Sequence, residues 1–189
     1  GGHDTGDQEM YSMRELIEQC SLGRVSKSGA KFDYEKGKWF NHQYLQLKSN
    51  EELAEQFMPI LLASTPYTLH PTPSLETVAK VIGLTKDRVN FVSELWEQVN
   101  FLFVAPEEYD EKSLKKRWKE DSPKHMTEML TLLEVHEDWS AEGLDNLIMP
   151  WIAEKEYGVG IVMNAFRICL VGAARGPHIW NITDILGKE

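Results

Sequence analysis

The sequence predicts an all-α fold with little or no sheet, and three observations lead to this prediction. Apolar residues recur every three or four positions along most of the 189-residue chain, which is the helical period. Polar residues that cap helix N-termini stand just before several of these periodic stretches. Strands that alternate with helices are absent, which argues against an open α/β nucleotide-binding sheet.

The first predicted helices begin at side chains that accept hydrogen bonds from backbone amides. Ser12 and Glu15 have the spacing of a capping box, and Asp33 precedes the next helix. Ser49 opens a third helix, and Ser74 opens a fourth after a proline-rich loop. These four starts predict a helical first half of the chain.

The second half continues the helical pattern. The short apolar run 101–104 reads either as a strand or as the end of a buried helix. In the last predicted helix, Pro177 occupies the first helical position, where its missing amide hydrogen costs nothing. The predicted helices of this half begin at Thr85, near Met126, after Ser140, at Val159 and at Gly176-Pro177.

A charged segment with few large apolar residues, 106–124, predicts a boundary between two consecutive helical subdomains. We therefore divide the chain into a helical lead-in at 1–47, a first subdomain at 48–113 and a second subdomain at 114–189. No repeat or low-complexity tract interrupts this division.

The composition predicts a soluble cytoplasmic protein without a membrane partner. Hydrophobic residues make up 42% of the chain and charged residues 26%. No stretch approaches the roughly 18 apolar residues of a membrane span, and the start has no secretory pattern. Two cysteines do not form a disulfide framework, and no metal-ligand spacing is present. The segment 26–31 lacks the first glycine and the strand that a phosphate-binding P-loop needs.

The net charge of −10 argues against a general nucleic-acid binder, but basic residues are clustered. Segment 24–38 has five basic and two acidic residues, and 112–124 has six basic and two acidic residues. Segment 125–156 has eight acidic residues and one lysine. The clusters predict either selective RNA contact or a solvated surface. The candidate contacts to RNA backbone are Lys27, Lys31, Lys115 and Lys116.

Three further features suit RNA bases. Asn164 and Arg167 share one face of a largely apolar helix, and both carry forked donors; an internal ion pair of Arg167, for example with Asp184, is the alternative. The start of the last helix offers free amides and stacking by Ile179, His178 or Trp180, or else an ordinary start with Trp180 in the core. Arg88 follows the predicted start at Thr85 and otherwise reads as a surface arginine.

Two blocks of the sequence carry a family resemblance. The first is Arg24 to Asp33, followed by Lys38-Trp39-Phe40-Asn41 and Tyr44, and the second is Glu154-Lys155 with the ending from Gly176 to Glu189. The first block resembles the segment after the catalytic Lys-Met-Ser-Lys-Ser region of bacterial-type glutamyl-tRNA synthetases, a class I family, and the second is similar to the last helices of that family. The resemblance covers essentially the whole chain.

The resemblance implies a curved array of helices that grips the anticodon loop of tRNA(Glu), preceded by the end of a stem-contact region. The family attaches glutamate to tRNA(Glu) with ATP and Mg²⁺ on an N-terminal catalytic domain of the same protein. The signatures of that domain are absent from this chain. We therefore expect no catalytic residue, metal or cofactor in it, and weak tRNA binding by the chain alone.

The resemblance also implies roles for single residues. Arg88 falls where the family places an arginine that reads the third anticodon base. Arg167, with Asn164, falls where an arginine contacts the other anticodon bases. Met149 stands where some members carry a further arginine, so that contact is not expected. The implied anticodon-binding residues are Arg88, Asn164, Arg167, Gly176, Pro177 and Ile179. The rival function is a helical protein-interaction scaffold, which predicts a large exposed apolar groove and no converging arginines.

Overall fold

The computed structural model describes residues 34–66, 69 and 71–189, and these residues form an all-α fold, as predicted. The predicted helix starts at Ser12 and Asp33 lie outside the described residues, as do Lys27 and Lys31. Two compact units are present. In the described part, the first unit runs to residue 64 and resumes at 69 to end at 96, and the second contains residues 65–66 and 97–189. The functional division at 47/48 and 113/114 stays a prediction.

The first unit is built on two helices, Asn50–Ser64 and Leu75–Thr85, that pack against each other. Their fully buried side chains include Leu53, Phe57, Leu61 and Ile82. Burial of each such side chain contributes about 1.5–3 kcal/mol. The helices of this unit are α1 (Tyr34–Leu47), α2 (Asn50–Ser64), α3 (Leu75–Thr85) and the first residues of α4 (Leu95–Val99).

Two of the predicted helix starts in this unit are confirmed. Ser49 Oγ accepts a hydrogen bond from the Glu52 amide at 3.1 Å, and Glu52 Oε2 accepts one from the Ser49 amide at 3.3 Å. These reciprocal bonds are a capping box. Ser74 Oγ accepts from the Thr77 amide at 3.1 Å at the start of α3.

The prediction that a helix begins at Thr85 is wrong. A 3₁₀ turn spans Lys86–Arg88, the backbone is extended at Val89 (φ −124°, ψ 152°), and a second turn at Val92–Glu94 leads into α4. Side-chain nitrogens of α1 form hydrogen bonds with backbone carbonyls of this segment. These carbonyls therefore bind α1 in place of the amides that they would meet in a continuous helix. Tertiary contacts outweigh the local pattern here.

The second unit contains five further helices: α5 (Glu111–Arg117), α6 (Ser122–Val135), α7 (Ala141–Glu154), α8 (Val159–Val171) and α9 (Ile179–Leu186). The apolar run at 101–104 forms part of a 3₁₀ turn at Asn100–Leu102, so the strand alternative is wrong. None of the helices in the described residues is long and apolar enough to span a membrane.

The helix starts of this unit confirm one prediction and correct another. Ser140 Oγ caps α7 by accepting from the Gly143 amide at 3.0 Å. The last helix begins at Ile179, with His178 as its N-cap, so Pro177 lies before the helix and not at its first position. The Pro177 carbonyl is held by Arg167, and Gly176 has a φ of 112°, which no helix accommodates.

Candidate nucleic-acid interface

The predicted RNA-binding arginines lie in or next to two short irregular segments, one in each unit. We call residues 86–90 of the first unit the Arg88 loop. We call residues 172–178 of the second unit, between α8 and α9, the corner loop.

Arg88 is exposed at the end of the first 3₁₀ turn. The residues that bracket the turn are buried: Thr85 is fully buried and Val89 is 1% exposed. The Thr85 hydroxyl donates to the Val81 carbonyl at 3.2 Å. The turn is therefore anchored at both ends while Arg88 lies at the surface.

Side chains of α1 bind the backbone of the Arg88 loop. Gln46 Nε2 donates to the Lys86 carbonyl at 2.9 Å, and Asn41 Nδ2 donates to the carbonyl of Asn90. His42 Nδ1 lies 2.8 Å from the Val89 carbonyl. Because a carbonyl oxygen only accepts, Nδ1 of His42 carries the hydrogen in this contact.

Arg167 is half-buried on α8 and holds the corner loop. Its Nη1 donates to the carbonyls of Pro177 at 2.5 Å and Arg175 at 3.3 Å. A partly buried guanidinium needs such acceptors because an unsatisfied charge there is costly. The sequence predicted either RNA bases or an acidic side chain as the partners of Arg167. In the structure, two carbonyl oxygens of the corner loop accept hydrogen bonds from its guanidinium.

The corner loop depends on glycine where α8 ends. Gly172 has a φ of 83°, and a Cβ there would lie 3.0 Å from the Glu108 carbonyl oxygen and 3.1 Å from Pro106 Cβ. A larger residue would meet both backbone strain and a neighbouring backbone atom. This glycine therefore lets the loop approach the segment before α5.

The start of α5 fastens the same loop. The Asp110 amide donates to the Gly172 carbonyl at 2.8 Å, and Ser113 Oγ accepts from the Ala174 amide at 3.0 Å. Ser113 Oγ in turn donates to Asp110 Oδ2 at 2.7 Å. The hydrogen bonds from Ser113 lower the pKa of Asp110, and Arg175 lowers it further.

Of the three residues predicted to offer a stacking surface at the start of α9, only His178 is exposed. Ile179 and Trp180 are 6% and 5% exposed, and Trp180 Nε1 donates to Asp145 Oδ1 at 3.0 Å. Trp180 is therefore a core residue, as the alternative interpretation held. His178 is exposed, and its Nδ1 accepts from the Trp180 amide at 3.3 Å.

The second unit brings the other predicted residues onto adjoining elements. Lys115 and Lys116 are exposed on the last turn of α5, which packs against α8. Asn164 lies one turn before Arg167 on α8, and its Nδ2 donates to the Gly160 carbonyl at 2.7 Å. Arg175, which is exposed in the corner loop, was not singled out from the sequence. Its position directly before Gly176-Pro177 was the signal that could have identified it.

Among residues 34–66, 69 and 71–189, no three His, Cys, Asp or Glu side chains are grouped as metal ligands. Salt bridges at the surface of the described part include Lys38–Glu35 at 3.8 Å and Lys188–Glu137 at 3.4 Å. Exposed pairs of this kind contribute about 0–1 kcal/mol, so they do not position the two loops.

Comparison with known proteins identifies the family. A family model described as an anticodon binding domain matches residues 52–189. A glutamate–tRNA ligase of Bacteroides thetaiotaomicron is 53% identical over 192 residues, covering all of this chain and 36% of that protein. The glutamate–tRNA ligase of Bacteroides fragilis is 54% identical with the same coverage. A crystal structure of a glutamate tRNA ligase from Elizabethkingia meningosepticum in complex with its amino acid is 38% identical, with a TM-score of 0.75 over 94% of this chain and 34% of its own.

The chain spans about a third of the length of these relatives and corresponds to their C-terminal part. The resemblance drawn from the two sequence blocks is confirmed. Because the family model covers most of the chain and the relatives match all of it, the chain belongs to the anticodon-binding domain family, in the form found in glutamate–tRNA ligases.

Proposed function

We propose that this chain recognises the anticodon loop of tRNA(Glu). The observation that carries the proposal is the arrangement in the second unit. Arg167 and the start of α5 fix the corner loop, and exposed Lys115, Lys116 and Arg175 lie on the same connected elements. Fixed donors and nearby cations suit unpaired bases and their phosphates.

The proposed roles differ between residues. Lysines bind phosphates, and the candidates are Lys27, Lys31, Lys115 and Lys116. Arg88, Asn164 and Arg167 contact bases. Gly176 and Pro177 give the corner loop its shape, and Ile179 stabilises that shape through its burial in the core. His178 supplies the exposed ring on which a base stacks.

For the whole protein we propose a cytoplasmic ligase that attaches glutamate to tRNA(Glu). Its N-terminal catalytic domain would bind ATP and Mg²⁺, and this chain would add anticodon selectivity. The names of the full-length relatives support this proposal. The residues of this chain contribute only to holding the RNA.

Filter binding of the 189-residue chain to tRNA(Glu), and to the same tRNA with a replaced anticodon, tests the function. Each lost base contact should weaken binding by about 1–3 kcal/mol, which is roughly 5- to 150-fold. Equal affinities for both RNAs would contradict anticodon recognition, and no binding to either would favour the scaffold function.

A salt titration tests the phosphate contacts separately. Replacing both Lys115 and Lys116 by alanine should reduce the slope of log K against log salt by about 1.4, at roughly 0.7 per phosphate contact. Selectivity between the two anticodons should persist. Lys155→Ala is the control, because this exposed lysine lies in the acidic segment 125–156.

A further inference from the structure

We infer that Asn41, His42 and Gln46 of α1 are positioning residues that set where Arg88 presents its guanidinium to RNA. The inference rests on the proposed role of Arg88. No function was predicted from the sequence for these three residues. In the structure, the side chain of each contacts a backbone carbonyl of the Arg88 loop.

The three side chains form one stripe on α1. Residues 41, 42, 45 and 46 are neighbours on a helix surface because residues four apart lie on the same face. Leu45, within this stripe, is 4% exposed, so its burial fixes the rotation of α1. The polar members of the stripe therefore face the loop in a fixed register.

The bonds anchor the backbone before and after Arg88. Gln46 holds the Lys86 carbonyl, which precedes Arg88 by two residues, and His42 holds the Val89 carbonyl, which follows it. Lys86 Nζ returns a bond to the Lys48 carbonyl at 2.6 Å, just beyond the end of α1. The two peptide groups attached to Arg88 lie between the anchored carbonyls of Lys86 and Val89, so the bonds restrict the direction that the Cα–Cβ bond of Arg88 can take.

Preorganisation of this kind improves affinity because less conformational freedom is lost on binding. The proposed contact of Arg88 with RNA is made by its guanidinium, so the anchors act on that contact by placing the side chain. Loosening one anchor should therefore weaken the contact made by Arg88 and leave contacts made elsewhere unchanged.

The experiment is a double-mutant cycle read by binding of the whole chain to tRNA(Glu). Gln46→Glu keeps the size of the side chain but replaces its donor by an acceptor, which repels the Lys86 carbonyl. Gln43→Glu is the matched control, because it makes the same change on the same helix where no bond to the loop exists. Gln46→Glu should weaken binding about fivefold more than Gln43→Glu.

In an Arg88→Ala background the excess effect of Gln46→Glu should vanish, because both changes remove the same contact. An undiminished excess in that background would overturn the positioning role while leaving the role of Arg88 intact. An Arg88→Ala chain that binds tRNA(Glu) normally would instead overturn the proposed role of Arg88, and the inference with it.

Folding is checked by the thermal midpoint of each variant. If Gln46→Glu unfolds the chain, Asn41→Asp gives the same test at the Asn90 carbonyl. Amide hydrogen exchange at residues 87–90 supplies a second readout, which should rise in Gln46→Glu and not in Gln43→Glu. Unchanged exchange in both would overturn the inference.

Discussion

The Arg88 loop and the corner loop are both short irregular segments beside a proposed RNA-reading arginine, but they are held in different ways. Amide and imidazole donors from α1 bind the Arg88 loop from outside. Arg167 binds the corner loop itself, and Gly172 and Gly176 supply its positive φ angles. The residues that shape the first loop therefore differ from the arginine it presents, whereas Arg167 combines both tasks.

This difference predicts how substitutions behave. In the first unit, a substitution of Arg88 should weaken RNA binding without lowering the free energy of unfolding, because Arg88 is exposed and other residues anchor the loop. In the second unit, a substitution of Arg167 should lower both the RNA affinity and the free energy of unfolding.

Gly172→Ala should destabilise the chain more than a substitution of Arg167 or Arg88. The new Cβ would meet both the left-handed backbone and the Glu108 carbonyl oxygen at 3.0 Å, and the free energy of unfolding should fall by about 3 kcal/mol. Gly187→Ala is the control, since its φ of 69° is also positive but no atom lies within 4 Å. Urea denaturation should show a smaller loss there, about 1–2 kcal/mol, from backbone strain alone. Equal losses would mean that the close approach at Gly172 has no energetic role.

A smaller loss is expected for Arg167→Ala. Removing a charged donor from two carbonyls should lower the free energy of unfolding by about 2 kcal/mol. Arg88→Ala, the comparison in the other unit, should change it by less than about 0.5 kcal/mol. Both should weaken tRNA binding. A neutral effect of Arg167→Ala on unfolding, measured in the same urea series, would argue that this arginine only reads RNA.

The smallest effect concerns pH. Ser113 lowers the pKa of Asp110 in the folded chain, so the ionised form adds stability above the ordinary pKa of 3.8. That stability is lost as the pH falls from about 3.8 through the folded value. The difference in unfolding free energy between the native chain and Asp110→Asn should therefore be constant from pH 7 to about pH 5 and shrink below about pH 4. A difference that stays constant down to pH 3 would contradict the assigned cause.

Prediction from the sequence succeeded where local chemistry decides the structure. Ser49, Ser74 and Ser140 cap helices by bonds to amides three residues away, so their spacing alone was informative. The start of α8 at Val159 was also predicted correctly, because a largely apolar stretch without proline follows it. The all-α class required no more than these signals.

The errors arose where distant side chains decide. The segment after Thr85 has helical periodicity, but donors 40 to 49 residues earlier in the chain capture its carbonyls. Pro177 suited a first helical position, but Arg167 takes its carbonyl and the helix starts at Ile179. The positioning role of α1 could not be predicted from spacing, because it exists only once the two segments meet.

Binding to tRNA(Glu) altered only at the third anticodon base tests whether the Arg88 loop reads that base. The native chain should bind the altered RNA about tenfold more weakly, and Arg88→Ala should bind both RNAs with equal, reduced affinity. Arg167→Ala should keep the preference at this base while losing overall affinity. A third-base preference that survives in Arg88→Ala would contradict the assignment of that base to the Arg88 loop.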